Sequence, residues 1–109
     1  MSGDFKSFMG LAARAGKLLG GADACRRAIR RGKVKLVVLE ADASANTIKE
    51  FTDACAYYRV PVIVNKTEGT LGEALGRPAN KVFGIVSPEF AGRLMEIHEG
   101  HIRGCISIE

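Results

Sequence analysis

Val34-Lys35-Leu36-Val37-Val38-Leu39, then a helix-forming stretch from about Ser44 to Tyr58, then Val60-Pro61-Val62-Ile63-Val64: this segment decides the architecture. Both apolar runs are short, rich in Val, Ile and Leu, and show little polar alternation, as strands covered on both faces do. Between them, Ser44 offers a capping hydroxyl. Working outward, Val82 to Val86 is a run of the same kind, and Lys17-Leu18-Leu19 reads as a short strand. Helices fill the remaining intervals. One runs from about Ser2 to Ala15 on Phe5, Phe8, Met9, Ala12 and Ala15 and stops at Gly16. A second runs from about Ala22 to Arg31, with Gly32 as its C-terminal cap. A shorter one lies around Thr70 to Leu75, where Thr70-Leu71-Gly72-Glu73 has capping-box spacing. The last runs from Pro88 to about Ile97 behind the Ser87-Pro88 start. The order α-β-α-β-α-β-α-β-α predicts an α/β protein, a three-layer α/β/α sandwich around a mostly parallel or mixed four-stranded sheet. After Gly100, Ile102-Arg103-Gly104-Cys105-Ile106-Ser107-Ile108 reads either as an added edge strand or as a trailing end.

With 109 residues, 47 % apolar and 26 % charged, the chain reads as one soluble globular domain over residues 1–109. A domain of this size buries roughly two-thirds of its unfolded surface. No stretch approaches the roughly 18 apolar residues of a membrane span, and Met1-Ser2-Gly3-Asp4-Phe5-Lys6 lacks a signal-peptide plan, so the expected location is the cytoplasm. Without a secretory signal, the Asn65-Lys66-Thr67 sequon has no meaning. Cys25, Cys55 and Cys105 are odd in number and lack a Cys-x-x-Cys spacing, which favours small core residues over disulfides or zinc.

The net charge of +4 conceals a segregation. Arg14, Lys17, Arg26, Arg27, Arg30, Arg31, Lys33 and Lys35 fall between positions 14 and 35 with one acid, Asp23, a local +7 against −3 for the rest. Such a concentration suits a polyanion, most often a nucleic acid. At 100° per residue, Asp23, Arg26, Arg27, Arg30 and Arg31 share an arc of about 140°, opposite Ala22, Cys25, Ala28 and Ile29. Arginines at i,i+4 repel one another by a few tenths of a kcal/mol when nothing neutralises them, and a solubilising face usually mixes signs.

Gly20 and Gly21 stand where this helix begins. Either they serve a tight turn alone, or they let backbone approach an anionic ligand beside the positive end of the helix dipole. Asp23 likewise has two readings: a first-turn acid that complements the dipole, or an acceptor for base amino and imino groups while arginines hold phosphates.

Several chemistries are not supported. In a P-loop frame, Leu11 stands where the first glycine belongs and Leu18 replaces the hydroxyl after Gly16-Lys17. His98 and His101 have no evident third metal ligand, and Gly100 between them is expected to break the helix. No serine sits in a nucleophile elbow. Tyr57-Tyr58, at a helix end, reads as packing rather than as a base-stacking platform. Neither a cofactor nor catalysis is expected.

Phe8-Met9-Gly10-Leu11-Ala12-Ala13-Arg14-Ala15-Gly16-Lys17-Leu18-Leu19-Gly20-Gly21, Ala41-Asp42-Ala43-Ser44-Ala45-Asn46-Thr47, Val60-Pro61-Val62-Ile63 and Leu71-Gly72-Glu73-Ala74-Leu75-Gly76-Arg77 together resemble the kink-turn RNA-binding ribosomal proteins of the L7Ae and L30e type, in their bacterial YlxQ-type branch. The resemblance covers about Phe8 to Leu94. It implies the same sandwich, RNA binding without catalysis, and association with ribosomal or other structured RNA. It also implies that the strand-to-helix glycine and the first turns of the next helix meet sheared G·A pairs of a kinked duplex. The family pattern Gly-x-Asn-Glu-x-x-Lys falls on Gly21-Ala22-Asp23-Ala24-Cys25-Arg26-Arg27. Asp23 replaces asparagine, Ala24 replaces the glutamate that accepts from guanine, and Arg27 replaces lysine with a different donor geometry. A second contact loop maps to Gly76-Arg77-Pro78-Ala79-Asn80-Lys81-Val82.

The expected RNA-binding residues are therefore Gly20, Gly21, Asp23, Arg26, Arg27, Arg30, Arg31 and Lys33, with Arg14, Lys17, Lys35, Arg77 and Lys81 in support. The expected partner is structured RNA, ribosomal or containing a kink-turn, with the ribosome itself as a candidate; neither membrane nor DNA is expected. Two other classes remain open on the sequence: a protein-interaction module whose basic face meets an acidic partner, and a small nucleotide-binding enzyme domain.

Overall fold

The computed structural model describes residues 3–66 and 71–106, with side chains over 5–66 and 71–98. Its elements are α1 (Gly3–Arg14), β1 (Leu18–Gly20), α2 (Ala22–Arg30), β2 (Leu36–Glu40), α3 (Ala45–Tyr58), β3 (Val62–Asn65), α4 (Leu71–Ala74), β4 (Val82–Ile85) and α5 (Pro88–Ile106). Local chemistry explains the starts. Ser44 Oγ accepts from Thr47 N at 3.1 Å, and Ser87 Oγ from Phe90 N at 3.4 Å. The capping box proposed for α4 includes Thr70, which lies outside the described residues.

Period-two alternation in β2 divides the core. Leu36 and Val38 face one layer with Phe5, Met9, Ala12, Leu71, Phe83 and Leu94, so α1, α4 and α5 cover that side. Val37 and Leu39 face the other, with Cys25, Ile29, Phe51 and Cys55 of α2 and α3. Gly84 lets α2 come close to the sheet, because a Cβ there would lie 3.2 Å from Cys25 Sγ. Burial pushes the Cys25 thiol up to about 12 and the Cys55 thiol up to about 11. Since the thiolate is the reactive form, both thiols should resist alkylation in the folded protein and react only in denaturant. Mass analysis of the two peptides after native iodoacetamide treatment checks this; early labelling of either would contradict the packing.

The strand order is β1-β4-β2-β3. The sheet is mixed, so the mostly parallel alternative is corrected: only β2 and β3 pair in parallel, from Val37↔Val62 to Glu40↔Asn65. β4 runs antiparallel to both β1 and β2. α2 and α3, at about 1.5 Å per residue, carry the chain back along the sheet, so β1, β2 and β3 point the same way. The four-residue α4 spans only about 6 Å, and β4 re-enters from the end that β3 has just left.

α5 also departs from expectation. It continues through Gly100 and Gly104 to Ile106, so Gly100 does not break the helix, and Ile102 to Ile106 form neither an edge strand nor an irregular tail. A single helical glycine costs only about 1 kcal/mol, which neighbouring turns absorb. Ser107 and Ile108 lie outside the described residues, as do the side chains of His101 and Cys105. Among the described residues no helix is long and apolar enough to cross a membrane, and no group of three His, Cys, Asp or Glu could hold a metal ion.

Candidate nucleic-acid interface

β1 leads into α2 through Gly20 and Gly21. Gly21 has φ 101° and ψ 149°, a region essentially reserved for glycine. Its N–H donates to Val82 O at 2.9 Å, and its carbonyl accepts from Cys25 N at 3.1 Å. No side chain caps α2, so the positive end of the helix dipole and its first N–H groups stand at the turn without a protein acceptor from a cap.

Gly20 faces the 77–81 loop of this same chain. A Cβ there would lie 2.5 Å from Asn80 Nδ2 and 2.9 Å from Arg77 Nη1. The close approach is made by this chain's own loop, which brings Arg77 and Asn80 onto the glycine turn. The loop is anchored from below. Gly72 N donates to Glu40 Oε2 at 2.8 Å, and Asn65 Nδ2 donates to Glu40 Oε1 at 3.1 Å, around a carboxylate that is 1 % exposed. Arg77 N then donates to Gly72 O at 2.6 Å, and Asn80 N to Arg77 O at 3.1 Å. Lys81, at the end of the loop, puts its ammonium 3.0 Å from Asp42.

Along α2 the arginines divide. Arg26 turns towards α3: its guanidinium pairs with Glu50, lies 2.7 Å from Asp23 Oδ1, and sits 5.6 Å from the Phe51 ring centroid. Its hydrogen bond to Glu50 raises the Arg26 pKa and lowers that of Glu50. Asp23 is thus engaged by Arg26, although its side chain remains 84 % exposed. Arg27, Arg30 and Arg31 are exposed, with Arg30 ending α2 and Arg31 its C-cap, about 13 Å along the helix from the glycine turn. Among the described residues neither they nor Arg77 form an ion pair.

The remaining basic residues do not join the glycine turn. Gly20 pairs with Phe83 and Leu18 with Ile85, so the turn lies at one end of the sheet, while Arg14 and Lys17 precede the opposite end. Lys33 and Lys35 follow α2, whose nine residues span about 13 Å, and enter β2 at that far end. Lys35 N donates to Ile85 O at 2.7 Å there. Tyr57 and Tyr58 also belong to the far end, and they are not core packing: Tyr57 is 79 % and Tyr58 43 % exposed, with the rings edge to face at 4.9 Å. Tyr57 stands about 200° around the helix from buried Cys55, which puts it off the core stripe.

Residues 4–94 match the ribosomal protein L7Ae/L30e/S12e/Gadd45 family. The chain belongs to this family. Among its relatives, the RNA-binding protein YlxQ of Bacillus subtilis (strain 168) is 39 % identical over 89 % of this chain and 98 % of its own length. The YlxQ protein of Enterococcus faecium is 42 % identical over 86 % and 90 %. A solved protein of unknown function from Bacillus halodurans C superposes with a TM-score of 0.81 at 36 % identity, covering 87 % of this chain and 96 % of that one. A 15.5 kD RNA-binding protein of Giardia lamblia has the same fold, with a TM-score of 0.73 at 21 % identity over 96 % and 89 %.

Within this L7Ae-type frame, Gly72 and Asn80 fall inside motifs that carry the resemblance but without the supporting roles seen here, and Glu40 falls outside them. Their signals are weak but physical. Glu40 is an acid closing an otherwise apolar strand, and Gly72 is a glycine in the first turn of a helix, where a close neighbour is one reason for it.

Proposed function

We propose that this protein binds structured RNA without catalysing a reaction. It docks the glycine turn, the first turns of α2 and the 77–81 loop on a kinked or bulged duplex, of the kind found in ribosomal RNA. The observation that carries this reading is the junction at Gly20. Arg77 and Asn80 from one loop meet an uncapped helix N-terminus, with unpaired arginines on the same helix. Family membership and the RNA-binding names of the YlxQ relatives support it.

Backbone N–H groups and guanidiniums suit phosphates, whereas the Asp23 carboxylate suits base donors exposed at sheared pairs. Regular A-form RNA closes its deep, narrow major groove to side chains, so a kink or bulge is what makes base edges reachable. Arg26 orients Asp23 through their hydrogen bond rather than reaching for phosphate itself.

Titration of a kinked stem and a regular stem against variants tests the assignment. Arg27→Ala should weaken both RNAs alike, by about 1 kcal/mol or roughly fivefold, as loss of one solvent-exposed charge contact does. Asp23→Ala should mainly erode the preference for the kinked stem. Equal losses on both stems for Asp23→Ala would remove its base-reading role, and no complex at low salt would remove the RNA reading.

A further inference from the structure

The far end of the sheet holds a feature that recognition of a kinked stem does not use. α3 ends at Tyr57-Tyr58, and Arg59 follows as its C-cap with φ 60°. The chain then enters β3, where Pro61 O accepts from Val37 N at 3.0 Å, two residues beyond Lys35 on the neighbouring strand. Lys33, Lys35 and Arg59 are all exposed. Among the described residues none of the three forms an ion pair. The nearest acid along α3, Asp53, is already paired with Lys49 at 2.9 Å.

We infer that this pole is a second RNA contact, for unpaired nucleotides: Tyr57 and Tyr58 stack on bases while Lys33, Lys35 and Arg59 hold the flanking phosphates. The inference rests on the RNA-binding reading above and extends it to a different ligand geometry. An exposed ring offers a stacking face that every base fits, and a paired duplex gives none except at its ends, so the chemistry favours single strands. Lysine and arginine beside the rings supply the charge that tracks a backbone. α2, about 13 Å long, separates the two contacts, so a kinked stem and its single-stranded flank could engage both at once. The physical gain is tethering, since binding of the stem makes capture of the flank intramolecular.

The chain has two tyrosines and no tryptophan, so its intrinsic emission reports on this pole alone. The experiment titrates the full-length protein with a uridine decamer, before and after saturation with a kinked stem, reading tyrosine emission. Expected is quenching by the decamer that persists with the stem bound and weakens with salt. In anisotropy, Tyr57→Ala should weaken the decamer at least about fivefold, with Lys35→Gln also weaker and the affinity of the blunt stem unchanged. Stem binding without decamer quenching, or competition between decamer and stem, overturns the second contact while leaving the first intact. Quenching by polyglutamate and not by the decamer overturns it in favour of an acidic protein partner. Failure of both RNAs removes the reading on which it rests.

Discussion

Replacing Gly72 by alanine is expected to lower stability by about 1–3 kcal/mol, the usual range for overpacking a well-filled site, and to weaken RNA binding with it. A Cβ at this position would lie 2.6 Å from Arg77 O, 3.1 Å from Asn80 O and 3.2 Å from Pro78 Cα. All three are backbone atoms, so no rotamer change clears the space and the loop itself must move. Helix propensity argues the other way, since alanine is better than glycine by up to about 1 kcal/mol, but a single-turn helix realises little of that. The clash therefore wins. Because Gly72 N is held by buried Glu40 and Gly72 O by Arg77 N, the loop cannot retreat without loosening one of these bonds. Arg77 and Asn80 would then leave the glycine turn. Gly92→Ala is the control: it lies within α5 with nothing inside 4 Å of a Cβ, and should be neutral or stabilising by up to about 1 kcal/mol. Thermal melts and stem titrations of both variants decide the point. An unchanged melting temperature for Gly72→Ala would mean that the loop does not depend on this contact.

Raising salt from 50 to 200 mM is expected to reduce affinity for a kinked stem about a hundredfold. The magnitude follows from counting unpaired guanidiniums. Arg77 and Arg27, with Arg30 and Arg31 further along α2, are available for phosphates of a stem that runs along the helix, whereas Arg26 is neutralised by Glu50 and Asp23. Four contacts on a duplex correspond to a slope of about −3.6 in a log–log plot of association constant against salt. Glu50→Gln should return Arg26 to this set, raising affinity at low salt and steepening the slope by up to about one. A salt-insensitive association constant would exclude a phosphate-based interface, and an unchanged slope for Glu50→Gln would show that Asp23 alone withholds Arg26.

The layer architecture was legible because burial on both faces leaves a composition signature. A strand such as Leu36 to Glu40, inaccessible along its whole length, must be apolar nearly throughout, and its flanking helices must keep a periodic inner stripe. The direction of β4 was not legible. Alternation of helix and strand implies parallel pairing only where the connecting helix itself returns the chain, and the β3–β4 connection is mostly loop with the four-residue α4 inside it. The candidate site divides the same way. The positive stripe on α2 follows from helical geometry, but the capture of Arg26 by Glu50 joins residues 24 positions apart and depends on how α2 and α3 pack.

Local order along the chain determined which segments form helices and strands, where glycine must begin α2, and that positive charge gathers on that helix. These depend on interactions within a few residues, which a sequence carries explicitly. Tertiary packing alone decided that Arg77 and Asn80 cover Gly20, that Glu40 anchors their loop, and that Lys33, Lys35 and the tyrosine pair occupy the opposite pole. Contacts of that kind are set by sheet order and strand direction, which bring together residues far apart in the chain and follow from no residue's own preference.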